Sequence, residues 1–236
     1  MKIGTSIKDI WHALLDAALP EECVVCGRPL VEGEQFLCLH CLYDMPSVEI
    51  DDYTDNPLHV TLATVNPVHK AVSLFYYRRG GDYARLIHHA KYNERPQLAR
   101  WLGKTLADRI KPHGFFDDID ALVPVPVSTW KLIRRGYNQS LELAKGISSS
   151  CGVPVIDVLG AKRHSTQTRK GASGRRANAR GVFYLKNQRG LEDVKHLAIV
   201  DDVITTGSTV LECASVIRTA SPDIKISVLS GALTII

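Results

Sequence analysis

Residues 197–209 constrain the fold more than any other part of the chain. They read LAIVDDVITTGST, which is a short apolar run, two adjacent carboxylates, and then small hydroxyl residues around one glycine. The apolar run is typical of a strand buried on both faces, and the small residues are typical of a turn that opens a helix. In open α/β sheets, ligands bind where parallel strands end at their carboxyl termini. The segment therefore predicts a parallel sheet with a ligand site at the end of one strand.

Apolar strand patterns alternate with helical patterns along the chain from residue 71 onward. Such alternation predicts βαβ units and a parallel sheet that helices cover on both faces. The predicted strands cover 71–77, 121–127, 153–158, 197–200 and 224–234, and the predicted helices cover 82–92, 96–111, 137–149 and 208–220. The expected fold class is α/β.

The length of 236 residues and the 45% hydrophobic content suit a globular chain with one good-sized core and a smaller appendage. This composition excludes a disordered, collagenous or disulfide-stapled miniprotein. Residues 46–60 are acidic and contain two prolines, which is typical of a linker. We therefore expect an N-terminal module over residues 1–60 and a second domain over residues 61–236.

The charge of the chain is unevenly distributed. Residues 1–66 hold three basic and eleven acidic side chains and carry −8, so the remainder of a chain with net charge +4 carries +12. Residues 158–191 hold nine Lys and Arg side chains and no carboxylate. This basic stretch predicts an anionic partner.

The N-terminal residues carry an amphipathic pattern from Ile3 to Ala18 that ends at Pro20. The pattern predicts one helix that packs its apolar face on a core, with a partner helix or a membrane surface as the alternative. Charged residues interrupt its apolar positions, unlike a signal peptide, and no apolar run in the chain reaches the ~20 residues of a membrane helix. We expect a cytoplasmic protein without membrane insertion.

Two pairs of cysteines form the pattern C-x2-C-x11-C-x2-C. They are Cys23, Cys26, Cys38 and Cys41. Two such pairs bring four thiolates to one point, which suits a tetrahedral, structural zinc ion and predicts a small zinc-ribbon module. The alternatives are a redox-active pair, and His40 as the fourth ligand in place of Cys41. Cys151 and Cys213 stand alone, and we expect both to be buried, unreactive thiols.

The turn after the two carboxylates carries the groups that bind phosphate. It comprises Thr205, Thr206, Gly207, Ser208 and Thr209. Backbone N–H groups at a helix start, together with hydroxyls, form a cup for a dianion, and no lysine of a Walker A loop is present. Carboxylates repel phosphate, so Asp201 and Asp202 should face sugar hydroxyls of the same ligand. The pattern predicts a ribose 5-phosphate with Mg²⁺ on a further anionic group, and the alternative is a pair of carboxylates that only cap a turn.

This segment resembles the 5-phosphoribosyl 1-pyrophosphate (PRPP) signature of type I phosphoribosyltransferases. Three further features extend the resemblance to the ComF family of competence and DNA-utilisation proteins. They are the four-cysteine pattern, Val123-Pro-Val-Pro126 followed by Arg135-Gly-Tyr-Asn-Gln139, and Gln167 with Arg176 and Asn178. The resemblance implies a type I phosphoribosyltransferase fold, which is a twisted parallel sheet flanked by helices, preceded here by a four-cysteine zinc ribbon.

The resemblance also implies roles for individual residues. Asp201 and Asp202 would hold the ribose hydroxyls, and the turn from Thr205 to Thr209 would hold the 5-phosphate. The loop that meets pyrophosphate would be Val125, Pro126, Val127 and Ser128, and the catalytic candidates are Arg134, Arg135, Arg163 and Lys170. Residues 163–180 would form a mobile hood. The basic residues of this stretch suit a loop that closes over an anionic ligand, and the alternatives are a solvated loop or a nucleic-acid contact.

The activity implied is a Mg²⁺-dependent transfer of the phosphoribosyl group from PRPP to an unidentified base or amine. Such a transfer has oxocarbenium character and depends on positioning and on neutralising pyrophosphate, so it needs no nucleophilic side chain. His88, His89 and Lys91 are expected mainly on a solvated helix face. The alternative function is a non-catalytic module of DNA uptake that senses PRPP or nucleotides and binds single-stranded DNA or a helicase. Residues suited to a DNA contact are Tyr76, Tyr77, Arg78, Arg79, Trp130 and Arg134.

Overall fold

The computed structural model describes residues 21–49, 52–63, 67–92, 95–162 and 181–234. The helix predicted from Ile3 to Ala18 and the stretch 163–180 lie outside the described residues. Four parallel strands form the central sheet in the order β1-β6-β5-β2. These are β1 (Ala71–Tyr77), β2 (Ala121–Pro124), β5 (His196–Ile204) and β6 (Lys225–Thr234), and a separate antiparallel hairpin pairs β3 (Leu159–Ala161) with β4 (Phe183–Leu185).

Helices connect the strands, and their ends carry recognisable signals. The described helices are α1 (Leu39–Tyr43), α2 (Pro57–Ala63), α3 (Ala84–Tyr92), α4 (Pro96–Ile110), α5 (Thr129–Arg135), α6 (Gln139–Cys151) and α7 (Ser208–Ala220). Helix α6 begins at a side-chain cap, because Asn138 Oδ1 accepts from the backbone N–H groups of Ser140 and Leu141. It ends at Gly152, whose φ of 82° is the left-handed conformation that glycine favours.

Successive side chains of β5 alternate between two hydrophobic cores. Ala198 and Val200 belong to one core, which α4 and α6 cover. Leu197 and Ile199 belong to the other core, which α2 and α7 cover. Because neighbouring side chains of a strand point to opposite faces, the sheet is buried on both sides. The predicted α/β class, a parallel sheet flanked by helices with a small four-cysteine module, is confirmed.

The four-cysteine module packs against the start of α3 and the edge of β1. Arg85 Nη1 donates to the carbonyl of Val25 at 2.7 Å, and the Tyr83 hydroxyl donates to the carbonyl of Cys41 at 2.8 Å. Ser47 forms an antiparallel bridge to β1. Buried apolar residues of the module belong to the same hydrophobic core as those of α4. The division at residue 60 stays a prediction.

Several element boundaries differ from the predicted ones. The strand predicted over 153–158 is wrong, because this segment forms only a single parallel bridge between Val155 and Leu122 of β2. Strand β2 ends at Pro124, since prolines cannot donate to a sheet ladder. Strand β5 is longer than predicted, and the two carboxylates that follow its apolar run lie within it.

Three of the described helices were not predicted from the sequence patterns, namely the five-residue α1 in the four-cysteine module, α2 and α5. Helix α5 follows β2 and buries none of its residues, so it lacks the apolar periodicity by which a helix is recognised. The predicted linker over 46–60 ends in α2, whose Leu58 and Leu62 are fully buried. Within the described ranges, no helix combines the length and hydropathy needed to cross a membrane.

Glycines let α4 and α6 pack backbone to backbone. A Cβ on Gly103 of α4 would overlap the carbonyl oxygen of Leu143, and a Cβ on Gly146 of α6 would overlap the carbonyl oxygen of Arg100. Neither carbonyl can move without shifting its whole helix. The distance between the two helices, and so the position of α6 over the sheet, depends on these two residues.

We therefore expect Gly146→Ala to lower the free energy of unfolding by about 1–3 kcal/mol, the usual cost of an overpacked core. Helix propensity alone predicts the opposite sign, a gain of roughly 1 kcal/mol. Urea unfolding measures the difference, and Gln97→Ala, at an exposed position of α4, should change stability by less than about 0.5 kcal/mol. A stabilised Gly146→Ala variant would show that the helices do not approach so closely.

Candidate functional site

A cavity of about 820 Å³ opens at the carboxyl ends of β2 and β5. This is the edge of a parallel sheet at which ligand sites form, as predicted from the sequence. The predicted site residues that line it are Val125, Pro126, Val127, Ser128, Arg135, Asp201, Asp202, Thr205, Thr206, Ser208 and Thr209. Arg134 is not among the lining residues, and Arg163 and Lys170 lie outside the described residues.

Asp201 is a buried carboxyl at the base of this cavity. Its Oδ1 accepts hydrogen bonds from Ser140 Oγ at 3.0 Å and from the backbone N–H of Asp202 at 2.9 Å. Burial, and next the neighbouring charge of Asp202, raise the pKa of Asp201 above its usual range. The site therefore holds a carboxyl that is poised to exchange hydrogen bonds with a ligand.

Asp202 is partly exposed and faces a lysine. Its Oδ2 lies 2.9 Å from Lys91 Nζ, and both side chains are about one-fifth exposed, 22% and 21%. Its Oδ1 accepts from the backbone N–H of Val203 at 2.9 Å. Lys91 was expected mainly on a solvated face of α3, and the structure instead places it in the cavity wall. Of the two histidines of α3 that were considered together with Lys91, His88 is exposed and His89 lines a different cavity.

The turn from Thr205 to Thr209 leads into the first turn of α7. Gly207 has a φ of 71°, and a Cβ at this position would collide with Leu62 of α2. The position thus requires glycine both for its conformation and for the close approach. The Thr206 and Ser208 hydroxyls lie 3.2 Å apart, and α7 is a helix of 13 residues whose N-terminus faces the cavity. Hydroxyls and helix N–H groups meet as a phosphate cup requires.

The loop after β2 is held in place by the cap of α6. Asn138 Nδ2 donates to the carbonyl of Val125 at 3.1 Å, while its Oδ1 caps the helix. Arg135 Nη1 donates to Oε1 of the buried Gln139 at 2.9 Å. The Arg135-Gly-Tyr-Asn-Gln139 motif therefore links α5 to α6, and its Asn138 ties the start of α6 to the predicted pyrophosphate loop that precedes α5.

The β3–β4 hairpin forms the opposite wall of the cavity through Ala161, Val182 and Phe183. These residues flank the stretch predicted as a hood. The backbone N–H of Gly181 donates to Glu212 of α7 at 2.5 Å, which ties the residue that precedes Val182 to this helix.

Helix α5 forms an exposed rim beside the cavity. Trp130 is 59% exposed and Ile133 is 79% exposed. The Arg134 guanidinium lies 5.0 Å from the centre of the Trp130 ring, which is a cation–π distance. An exposed tryptophan backed by an arginine is suited to stacking with a planar ligand.

The four predicted cysteine ligands come together in the N-terminal module. Their sulfur atoms all lie within 4.8 Å of one another, and those of Cys26 and Cys38 are 3.8 Å apart. Zn–S bonds of about 2.3 Å in a tetrahedron place sulfurs about 3.8 Å apart, so the cluster can hold a structural zinc ion. His40 points instead to Asp44 at 3.2 Å, which favours Cys41 as the fourth ligand.

The two remaining cysteines differ in exposure. Cys213 is fully buried in α7, and burial raises the pKa of its thiol. Both observations agree with the prediction of a buried, unreactive thiol. Cys151 is only partly buried at the end of α6, so that part of the prediction is wrong. Burial nevertheless raises the pKa of the Cys151 thiol as well.

A second cavity, of about 960 Å³, lies between the cysteine module and α3. Apart from Cys23, no predicted site residue lines it. Its charged residues have mixed sign, with Glu21 and Glu22 near Arg85 and Arg95. No serine or threonine of the described part of the chain lines it, unlike the cavity at the carboxyl ends of the strands.

Sequence reasoning missed two polar residues that shape the site. Ser140 contacts Asp201, and Asn138 holds the loop after β2. Asn138 lies inside the Arg135-Gly-Tyr-Asn-Gln139 motif, so the sequence could have indicated its importance, whereas no sequence pattern marks Ser140. A hydroxyl residue in a helix becomes a site residue only when the fold brings that helix to the strand end.

No family profile matches the chain. Curated relatives do match. The chain is 35% identical to Competence protein F of Haemophilus influenzae over 101 residues, which is 42% of this chain and 44% of that protein. It is 28% identical to DNA utilization protein YhgH of Salmonella typhimurium over 201 residues, which is 83% of each chain. These relatives confirm the resemblance that was stated from the sequence.

Two solved structures match part of the chain at low identity. Glutamine PRPP amidotransferase of B. subtilis is 21% identical, with a TM-score of 0.37, over 56% of this chain and 25% of that chain. A purine phosphoribosyltransferase of Pyrococcus horikoshii is 15% identical, with a TM-score of 0.33, over 63% of this chain and 74% of that chain.

Burial of Asp201 predicts a characteristic pH dependence of stability. An acid whose pKa is higher in the folded than in the unfolded state costs folding free energy as the pH rises from its unfolded pKa, about 3.9, to its folded pKa. Asp201→Asn removes the ionisable group and so avoids this loss. We therefore expect the free energy of unfolding of the variant, relative to that of the wild type, to increase across this pH window by about 1.4 kcal/mol for each unit by which folding raises the pKa. Urea unfolding at several pH values measures the gain. Asp223→Asn, at an exposed carboxylate, should show none, and an equal gain in both variants would contradict the burial argument.

Proposed function

We propose that the chain binds PRPP in the cavity at the carboxyl ends of β2 and β5 and transfers its phosphoribosyl group to a base or amine, in the context of DNA uptake or utilisation. One observation carries the proposal. Two adjacent carboxylates, one of them buried, stand beside a glycine-containing cup of hydroxyls and helix N–H groups at one edge of a parallel sheet. A ribose phosphate presents the matching groups, since it has hydroxyl donors and a dianion on one sugar.

Each part of the ligand then has a counterpart among the lining residues. The ribose hydroxyls donate to Asp201 and Asp202, and Lys91 gives up its contact with Asp202 as the sugar enters. The 5-phosphate accepts hydrogen bonds at the start of α7. Thr205–Thr209 carry no basic side chain, so recognition there rests on N–H and O–H donors.

The pyrophosphate group would lie over the loop from Val125 to Ser128, with Arg135 as the nearest predicted cation in the lining. Among the described residues, no cluster of three metal-ligating side chains lines this cavity. A Mg²⁺ ion would therefore be held mainly by the oxygens of the ligand, where it neutralises charge on the leaving group. In the reaction the C1–O bond breaks, pyrophosphate leaves with the electron pair, and a nitrogen of the acceptor forms the new bond to C1.

The wall formed by Ala161, Val182 and Phe183 would face an acceptor. The ring of Phe183 offers an apolar surface to a planar base. This wall and the two carboxylates line the same cavity, so the sugar and the acceptor can be bound side by side while water is displaced.

We expect PRPP with Mg²⁺ to stabilise the protein against thermal unfolding. A ligand at 100-fold over its Kd adds about 2.7 kcal/mol, which corresponds to a rise in Tm of roughly 5–11 °C for a chain of this size. The double variant Asp201→Asn/Asp202→Asn should lose this rise, because its amides cannot accept from the sugar as carboxylates do. Pyrophosphate release with a panel of bases and amines then tests transfer.

The matched control is Asp193→Asn/Asp223→Asn, which makes the same charge change at two exposed positions away from the cavity. It should respond to PRPP as the wild type does. Equal responses of the two double variants would contradict PRPP binding by the carboxylate pair. Binding without pyrophosphate release from any acceptor would favour the non-catalytic alternative, in which the chain senses PRPP or nucleotides.

A second candidate function is binding of single-stranded DNA along the exposed rim of α5. The supporting observation is Trp130, which is exposed although it is a large aromatic side chain, with Lys131 and Arg134 beside it. Bases stack on such rings without regard to sequence, and the cations follow the phosphates. A DNA-uptake helicase is the other partner that the family resemblance implies.

We expect Trp130→Ala to weaken binding of a labelled oligo(dT) by about 1–3 kcal/mol, measured by fluorescence anisotropy. Wild-type affinity should fall steeply as salt rises, since phosphate contacts release counterions. Tyr43→Ala removes an aromatic side chain that is 90% exposed on the acidic module and should have no effect. Affinity that is insensitive to salt, or equal losses in both variants, would exclude this function for α5.

We further propose that the four-cysteine cluster holds a structural zinc ion. The module is small and its buried residues are few, so metal–thiolate bonds would supply much of its stability. We expect Cys26→Ser to lose about one zinc equivalent per chain by elemental analysis and to lower Tm. Cys151→Ser, outside the cluster, should keep it, and an unchanged zinc content in Cys26→Ser would refute the site.

A further inference from the structure

Three potential metal ligands meet at the edge of the sheet opposite the cavity. His69 precedes β1, Asp118 precedes β2, and His196 is the first residue of β5. Asp118 Oδ2 lies 3.0 Å from His196 Nδ1 and 3.7 Å from His69 Nε2. The three ligand atoms all lie within 4.8 Å of one another. Segments far apart in sequence thus converge on one carboxylate oxygen.

These separations match those in a coordination shell. Zn–N and Zn–O bonds of about 2.1 Å in a tetrahedron place donor atoms about 3.4 Å apart, between the two observed distances. Two imidazoles and one carboxylate are donors that a divalent ion of borderline softness prefers. His69 and Asp118 have side chains that are 42% and 44% exposed, so the fourth position would be open to water.

The buried member of the cluster is held in an orientation suited to a metal. His196 has a side chain that is 3% exposed, and its Nε2 lies 2.8 Å from Ser227 Oγ. Its backbone N–H donates to Asp120 at 2.9 Å. A histidine that ligates through one ring nitrogen commonly has its other nitrogen fixed by such a partner. Nδ1 faces Asp118 Oδ2 at 3.0 Å, and an ion bound between these two atoms would replace their direct contact.

We propose that His69, Asp118 and His196 form a second metal site, which takes Zn²⁺ or a similar divalent transition-metal ion. The site joins the starts of β1, β2 and β5 and is separate from the ligand cavity, since His196 and Asp201 are five residues apart on one strand, about 16 Å. Lys70 Nζ contacts the other carboxylate oxygen of Asp118 at 2.7 Å. This contact leaves Oδ2 as the oxygen that faces the two histidines, and the nearby positive charge weakens the binding of a cation.

Cobalt(II) titration of the tag-free full chain, already loaded with one equivalent of zinc, tests the site. We expect one further equivalent to bind, with visible d–d bands and without the near-ultraviolet charge-transfer bands of thiolate ligation. His69→Ala and Asp118→Asn should each weaken this binding by about tenfold or more. Lys70→Met should tighten it, because a cation no longer competes for the carboxylate.

His113→Ala is the matched control, since His113 is an exposed histidine outside the cluster. It should bind the second equivalent as the wild type does. Circular dichroism checks that each variant is folded, and the exposed side chain of His69 makes its removal tolerable. No second equivalent in the wild type, an unchanged affinity in both His69→Ala and Asp118→Asn, or an equal loss in His113→Ala would overturn the proposal.

Discussion

Strand β5 is the element on which both ends of the molecule depend. Backbone hydrogen bonds hold it between β6 and β2, and hydrophobic cores cover both of its faces. It therefore cannot slide or tilt without breaking two ladders at once. Its carboxyl end presents Asp201 and Asp202 to the cavity, and its amino end presents His196 to the opposite edge. The positions of the residues in both candidate sites therefore depend on the position of this strand.

The cavity combines features that work against stability. A carboxyl such as Asp201 is costly to bury next to a second carboxylate, and Ser140, one backbone N–H and the charge of Lys91 offset part of this cost. Lys91 offsets the charge of Asp202 from a helix on the other side of the opening. Such an arrangement is common where a ligand completes the hydrogen bonding, because binding then repays a cost that the free protein carries.

The cysteine cluster and the cavity lie in parts of the chain with opposite net charge. Residues 1–66, which carry −8, contain the four cysteines, and the four-cysteine module packs on α3 and β1. Arg85 and Tyr83 fasten the module through backbone carbonyls of the cysteine loops.

The sequence by itself determined the fold class, the strand, turn and helix at 197–209, and the grouping of four cysteines, because these depend on local periodicity and spacing. It also marked the loop from Val125 to Ser128 and the turn around Gly207. Only the tertiary structure decided that Lys91 and Ser140 face the carboxylates and that Asp118 meets two histidines. Those contacts join residues from different elements, and no local pattern records which faces of two elements will meet. Helix α5 escaped prediction for a related reason, since it buries nothing and therefore carries no apolar stripe.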